Sequence, residues 1–198
     1  STTIALPSCS GSVTFNNAIV PAQATVAKTT VPAGGQQGWE FRLLNADTNA
    51  VVTTGTTDAS GAIAFQGDLA EGNYAVVETA QTGYDLTAST GCTFSVNYPA
   101  DAGKTFTCAA TNTRRGHIVI RKVTNPTSST QGFEFTPSYG GGTPFTLKHG
   151  ESSDSGLLVP GTYRVSEAVP AGWLQTSATC DDGSPVTAIA LGAGETVT

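Results

Sequence analysis

Two lysines and two glutamates stand where strands should turn their side chains inward. In "TVAK", Val26 and Lys28 alternate with Ala27 and share a face; in "IVIRK", Ile118, Ile120 and Lys122 do the same. In "YAVVE" the set is Tyr74, Val76 and Glu78, and in "YRVSE" it is Tyr163, Val165 and Glu167. Burying an isolated ammonium or carboxylate among apolar side chains is strongly unfavourable. Each charge is therefore expected to be paired, neutralised or reacted. A third polar group joins the first set. Cys108, Ala110 and Asn112 alternate along "CAATN", so Asn112 also points inward.

These pairs lie in two copies of one unit. "ATVAKTTVPAGGQQGWEF" (Ala24–Phe41) aligns with "IVIRKVTNPTSSTQGFEF" (Ile118–Phe135). "GNYAVVETAQTGYDLTASTGC" (Gly72–Cys92) aligns with "GTYRVSEAVPAGWLQTSATC" (Gly161–Cys180). A repeat of this size predicts tandem small β-sandwiches. The boundary falls near Gly116, with "NTRRG" as linker. The organisation read from the chain is an N-terminal extension (1–21), a first domain (22–115) and a second domain (116–198). Trp39, Phe41, Tyr84, Phe133, Phe135 and Trp173 recur at matching places and are expected in the cores.

Composition supports an all-β chain. Short Val/Thr/Phe/Tyr runs alternate with Gly, Pro, Asn and Asp clusters, and no stretch shows sustained helical spacing. Net charge is −6 and the basic residues are scattered, which argues against a nucleic-acid reader. No apolar run is long enough to insert in a bilayer. The cysteines, Cys9, Cys92, Cys108 and Cys180, lack metal-ligand spacing, and "CDDGS" is first a turn signal, so no metal or other cofactor is expected. Disulfides in a secreted, extracellular setting are the expectation. No arrangement of an enzyme with turnover is visible.

The lysine strands "TVAK" and "VIRK", the glutamate regions "YAVVETAQTGY" and "YRVSEAVPAGW", and "ATNT" closing the first unit resemble the Cna B-type, SpaA-like prealbumin-like (transthyretin-like) domains of bacterial surface proteins and pilins. The resemblance implies an internal isopeptide bond. Lys28 would attack the side-chain amide of Asn112, ammonia would leave, and Glu78 would shuttle the protons. It also implies Lys122 and Glu167 as the corresponding pair in the second domain. Cys92 and Cys108 bracket a turn between neighbouring strands and are expected to form a disulfide.

"GAGETVT" (Gly192–Thr198) aligns with "DAGKTFT" (Asp101–Thr107), after which the first unit continues to Cys108 and Asn112. The second domain is thus expected to lack its closing strand. The N-terminal extension carries strand-like alternation of Val13, Phe15 and Asn17, preceded by Cys9. Donor-strand complementation is the expected remedy: this segment of one copy completes the second domain of the next. Such head-to-tail contact propagates into a filament. Cys9 is then the candidate partner of Cys180, and Asn16 or Asn17 of Lys122. Cys108 and Asn112 are four residues apart but Cys9 and Asn17 eight, so one register serves one link unless a bulge intervenes. The expected role is a structural subunit of an extracellular filament or pilus at the cell surface. Its partners would be other copies and a host or neighbouring-cell surface. The alternative is a two-domain spacer in a longer tandem-repeat adhesin.

Overall fold

The computed structural model describes residues 15–198. The first unit contains β1 (Gln23–Val31), β2 (Glu40–Asn45), β3 (Val51–Thr56), β4 (Ala62–Ala64), β5 (Gly72–Glu78), β6 (Tyr84–Thr90), β7 (Thr93–Val96) and β8 (Thr105–Arg114). Two four-stranded sheets, ordered β4-β1-β8-β6 and β3-β2-β5-β7, make a sandwich. β1 and β8 run parallel over nine register pairs, Gln23 opposite Thr105 through Val31 opposite Thr113. The core follows from two-residue alternation: Ala24 and Val26 from β1, Phe41 and Leu43 from β2, Tyr74 and Val76 from β5, and Cys108 and Ala110 from β8 are all buried. Trp39 packs edge-to-face on Tyr84.

The second unit contains β9 (His117–Arg121), β10 (Phe133–Pro137), β11 (Phe145–Leu147), β12 (Ser152–Asp154), β13 (Gly161–Tyr163), β14 (Val165–Ala168), β15 (Ile189–Leu191) and β16 (Thr196–Val197). Its separate core gathers Ile118, Phe133, Phe135, Leu147, Val165 and Ile189. Phe133 packs edge-to-face on Trp173, repeating the Trp39–Tyr84 contact. The architecture is all-β: two tandem prealbumin-like sandwiches. The only helical turn among the described residues is a short 3-10 segment at Gly140–Gly142.

The copies differ where the closing strand lies. β16 pairs in parallel with β9, Thr196 opposite His117 and Val197 opposite Ile118, as β8 begins beside β1. Among the described residues this pairing covers β9 only as far as Ile118, whereas β8 covers β1 to its end. The difference extends one strand further. β6 takes its ladder bonds from β8, and the matching residues, Trp173–Thr179, form no strand. An extended segment without a neighbour has nowhere to place its backbone N–H and C=O groups except in water.

Candidate functional site

In the first unit, alternation on three strands brings three polar side chains to one buried point. Lys28 and Asn112 are each 2% exposed. They sit diagonally across the parallel pair, Lys28 opposite Ala110 and Asn112 opposite Thr30. Glu78 arrives from the facing sheet at the end of β5, where it pairs with Phe41. The Lys28 Nζ donates to Asn112 Oδ1 at 2.5 Å, and Asn112 Nδ2 donates to Glu78 Oε1 at 2.5 Å. The second carboxylate oxygen, Oε2, lies 3.3 Å from Nζ but outside hydrogen-bond geometry, and has no other partner. Below the ammonium, 4.0 Å from its centroid, is the Trp39 ring. Gly61 makes room here: with φ +83° its Cβ would lie 2.2 Å from the Lys28 carbonyl oxygen.

Burial pushes the Lys28 ammonium below the usual lysine range, and the Glu78 carboxylate only partly offsets this. The arrangement can therefore supply what amide exchange needs. It holds a lysine nitrogen whose neutral form is made more accessible, a carbonyl oxygen already engaged by that nitrogen, and a carboxylate touching the leaving NH2.

The second unit repeats two of the three groups. Lys122 Nζ donates to Glu167 Oε1 at 2.5 Å and lies 4.0 Å from the centroid of the Phe133 ring. Their side chains are 13% and 6% exposed, so this pair is more open on the lysine side than Lys28 and Glu78. Where Asn112 reaches Glu78, Glu167 instead accepts a hydrogen bond from Gln175 Nε2 at 3.1 Å. Sequence reading missed Gln175. Its signal is faint, because the aligned residue in the first unit is Leu86, which stands opposite Asn112 on β8.

A cleft of about 310 Å³ runs along β9 from Lys122 and Glu167 at one end towards Cys180 and Val197 at the other. Ile118, Ile120 and Val165 are among its apolar walls. A cleft of about 270 Å³ in the first unit is floored instead by Cys108, Ala110 and Asn112 of β8. The corresponding space in the second unit reaches down to β9.

Cys92 and Cys108 form a disulfide. Cys180, the counterpart of Cys92, is free. Burial raises its thiol pKa, with the Asp181 and Asp182 carboxylates acting in the same direction against a hydrogen bond from Ser184. Asp181 is engaged by the Thr198 backbone, and Asp182 by Ser184. Among the described residues no group of three potential ligands gathers to hold a metal, and no helix is long and apolar enough to cross a membrane.

Of the N-terminal candidates, Cys9 and Val13 lie outside the described residues. Phe15, Asn16 and Asn17 are described: all three are exposed, Phe15 at 86%, and none is in a strand. The approach to each domain follows one pattern. Gly103 N donates to Val20 O and Gly194 N to Arg114 O, while Ala22 bridges Leu69 and Gly116 bridges Leu158. Ala22 therefore corresponds to Gly116, and Ala18, one residue beyond Asn17, to Asn112. By the same count Cys9 falls five residues short of the place of Cys108.

Two packed sheets, one of them with its first and last strands as parallel neighbours, around a lysine, glutamate and asparagine cluster, define a prealbumin-like sandwich. Residues 22–114 match the family model described as SpaA, prealbumin-like fold domain. Similar solved structures include the Bacillus anthracis TIE protein, 21% identical, covering 89% of this chain and 32% of that one with a TM-score of 0.44. They also include a streptococcal ancillary pilin (21% identical, 88% and 59% covered, TM-score 0.39) and the shaft pilin SpaA from Lactobacillus rhamnosus GG (17% identical, 89% and 96% covered, TM-score 0.35). The chain spans about a third of the first of these and under two thirds of the second. No curated protein matches the sequence significantly.

Proposed function

We propose that the chain is a structural subunit of an extracellular filament or pilus, in which the second domain is completed by the N-terminal segment of another copy. One observation carries the reading. The same groove that β8 fills in the first unit lies open in the second, with an engaged lysine–glutamate pair at one end and a free cysteine at the other. An extended segment entering parallel to β9 would satisfy the unpaired strand edge, give Trp173–Thr179 a partner, and bury its alternate side chains. The exposed segment ahead of β1 has the requisite alternation.

In the first domain the triad forms an isopeptide bond. The Lys28 Nζ lone pair attacks the Asn112 side-chain carbon, the bond to Nδ2 breaks, and ammonia leaves. Glu78 takes the proton lost by the amine and delivers it to the departing nitrogen. Between copies, Lys122 joins Asn17 in the same way, with Glu167 as shuttle. A single bulged residue absorbs the one-residue offset and turns Asn17 inward, whereas Cys9 needs a far larger shift to meet Cys180. The chain acts as a single-turnover, self-modifying scaffold.

The test is intact mass together with gel mobility after boiling, with and without reductant. A ladder of multimers that survives reductant is expected, with cross-linked peptides joining Lys122 to Asn17. A ladder that collapses on reduction would move the link to Cys9 and Cys180. Monomer alone in both lanes, with no multimer in light scattering, would overturn the filament. A native polypeptide much longer than this chain, with the N-terminal segment closing a preceding unit in the same molecule, would establish the adhesin spacer instead.

A further inference from the structure

Within the chain, the residue that leads out of the first domain is anchored to that domain by an ion pair and a backbone bond. Arg115 donates to both carboxylate oxygens of Asp85, at 2.8 and 2.7 Å, immediately after β8 ends. Its backbone N–H also bonds the Gly83 carbonyl. At the equivalent rim of the second domain, three aliphatic side chains stand exposed among polar neighbours. Leu174 stands where Asp85 does and is 82% exposed. Val123 and Val169, 64% and 41% exposed, occupy the places of Thr29 and Ala80. These three side chains border a recess beside Lys122 and Glu167, at the end of the groove from which an inserted strand would emerge. None of the three carries a charge that could take the place of Asp85, and all three face one opening.

The occupant is indicated by the other end of the molecule. The approach to β1 is the structural counterpart of the Arg114–Arg115 junction, through the Gly103–Val20 and Gly194–Arg114 backbone bonds. In it, Val20 stands for Arg114 and Pro21 for Arg115. The stretch Ala18–Pro21 contains no charged residue, and Ile19 and Val20 are 52% and 65% exposed. Both halves of the intrachain ion pair are thus replaced by apolar residues, one at each end of the same chain. From this we infer that successive copies meet through an apolar junction: Ile19, Val20 and Pro21 of one copy seat on Leu174, Val169 and Val123 of the copy whose groove holds its N-terminal segment. The exchange of charge for apolar surface also distinguishes the junctions. Arg114–Arg115 brings two cations to an aliphatic rim, and an uncharged leader leaves Asp85 without its partner.

The inference rests on the filament reading, and the experiment separates the two. Full-length chain is followed for multimer formation at low and high salt, as wild type, as Leu174→Asp, and as Leu174→Asp with Pro21→Arg. Leu174 is largely exposed, so its substitution leaves the fold intact. The expected result is wild-type assembly that salt does not weaken, a several-fold slower Leu174→Asp, and a double variant restored at low salt but not at high salt. Leu174→Asp assembling as fast as wild type would overturn the apolar junction and leave the filament standing. So would a defect that Pro21→Arg fails to relieve. A wild-type chain that never multimerises would overturn the filament reading and this inference with it.

Discussion

At the scale of single residues, the buried triad makes the sharpest demands. Lys28 donates to Asn112, and Asn112 to Glu78, with the Lys28 and Asn112 side chains buried. If the amide exchange occurs, the wild-type mass falls short of the sequence mass by one ammonia for the first domain. Glu78→Gln should retain that ammonia, because a carboxamide cannot accept the amine proton; mass spectrometry of freshly purified protein decides it. Glu78→Ala should in addition leave the Lys28 charge buried alone, costing about 3–5 kcal/mol in denaturant unfolding. The sign of the pH effect follows from burial. The folded-state pKa of unlinked Lys28 is depressed, so the unfolded chain binds more protons between that value and the ordinary lysine range. Stability of an unlinked chain such as Glu78→Gln should therefore rise with pH through that window. Cys180 behaves in the opposite sense as a nucleophile. Its raised pKa keeps it as thiol near neutrality, so alkylation should be slower than for a free cysteine and accelerate as pH rises. Rapid alkylation at neutral pH would contradict the half-buried, acid-flanked setting.

At the scale of elements, the contrast between β6 and its unpaired counterpart is testable directly. Amide exchange should be slow across Tyr84–Thr90, which β8 holds, and fast across Trp173–Thr179, which no strand holds. On multimer formation the second segment should become protected while the first stays unchanged. Protection of Trp173–Thr179 in isolated monomer would mean that the groove closes by itself. The Cys92–Cys108 bond ties β8 to the start of β7 across a sequence separation of 16. Reducing it should cost about 3 kcal/mol in unfolding free energy, by releasing the loop in the unfolded chain. The second domain has no such tie among its described residues, so its unfolding should be insensitive to reductant before assembly.

Considered as a whole molecule, the chain is two sandwiches joined by a short, anchored passage. Arg115 reaches back to Asp85 while Gly116 begins the next unit, bridged to Leu158. Both charged side chains remain about one-third exposed, so their attraction is screened and adds little to the stability of either domain. Arg115→Ala should accordingly leave the unfolding midpoints in place while broadening the distribution of interdomain angles in solution scattering. An unchanged scattering profile would show that backbone bonds alone hold the junction.

Much of this was legible in the order of residues. Alternation in "TVAK", "YAVVE" and "CAATN" is a local property with a two-residue period, so it turns Lys28, Glu78 and Asn112 inward without reference to any neighbour. The repeat likewise follows from comparing the chain with itself. What alternation cannot express is adjacency. That Gln175 would bond Glu167, that Asp85 would clamp Arg115, and that Leu174, Val169 and Val123 would ring one opening depend on strands from separate parts of the sequence coming together. The difference between the two clefts is of the same kind, since it depends on which strand forms the floor. Side-chain direction is set by the backbone of each strand, whereas the company a side chain keeps is set by how the sheets pair and pack.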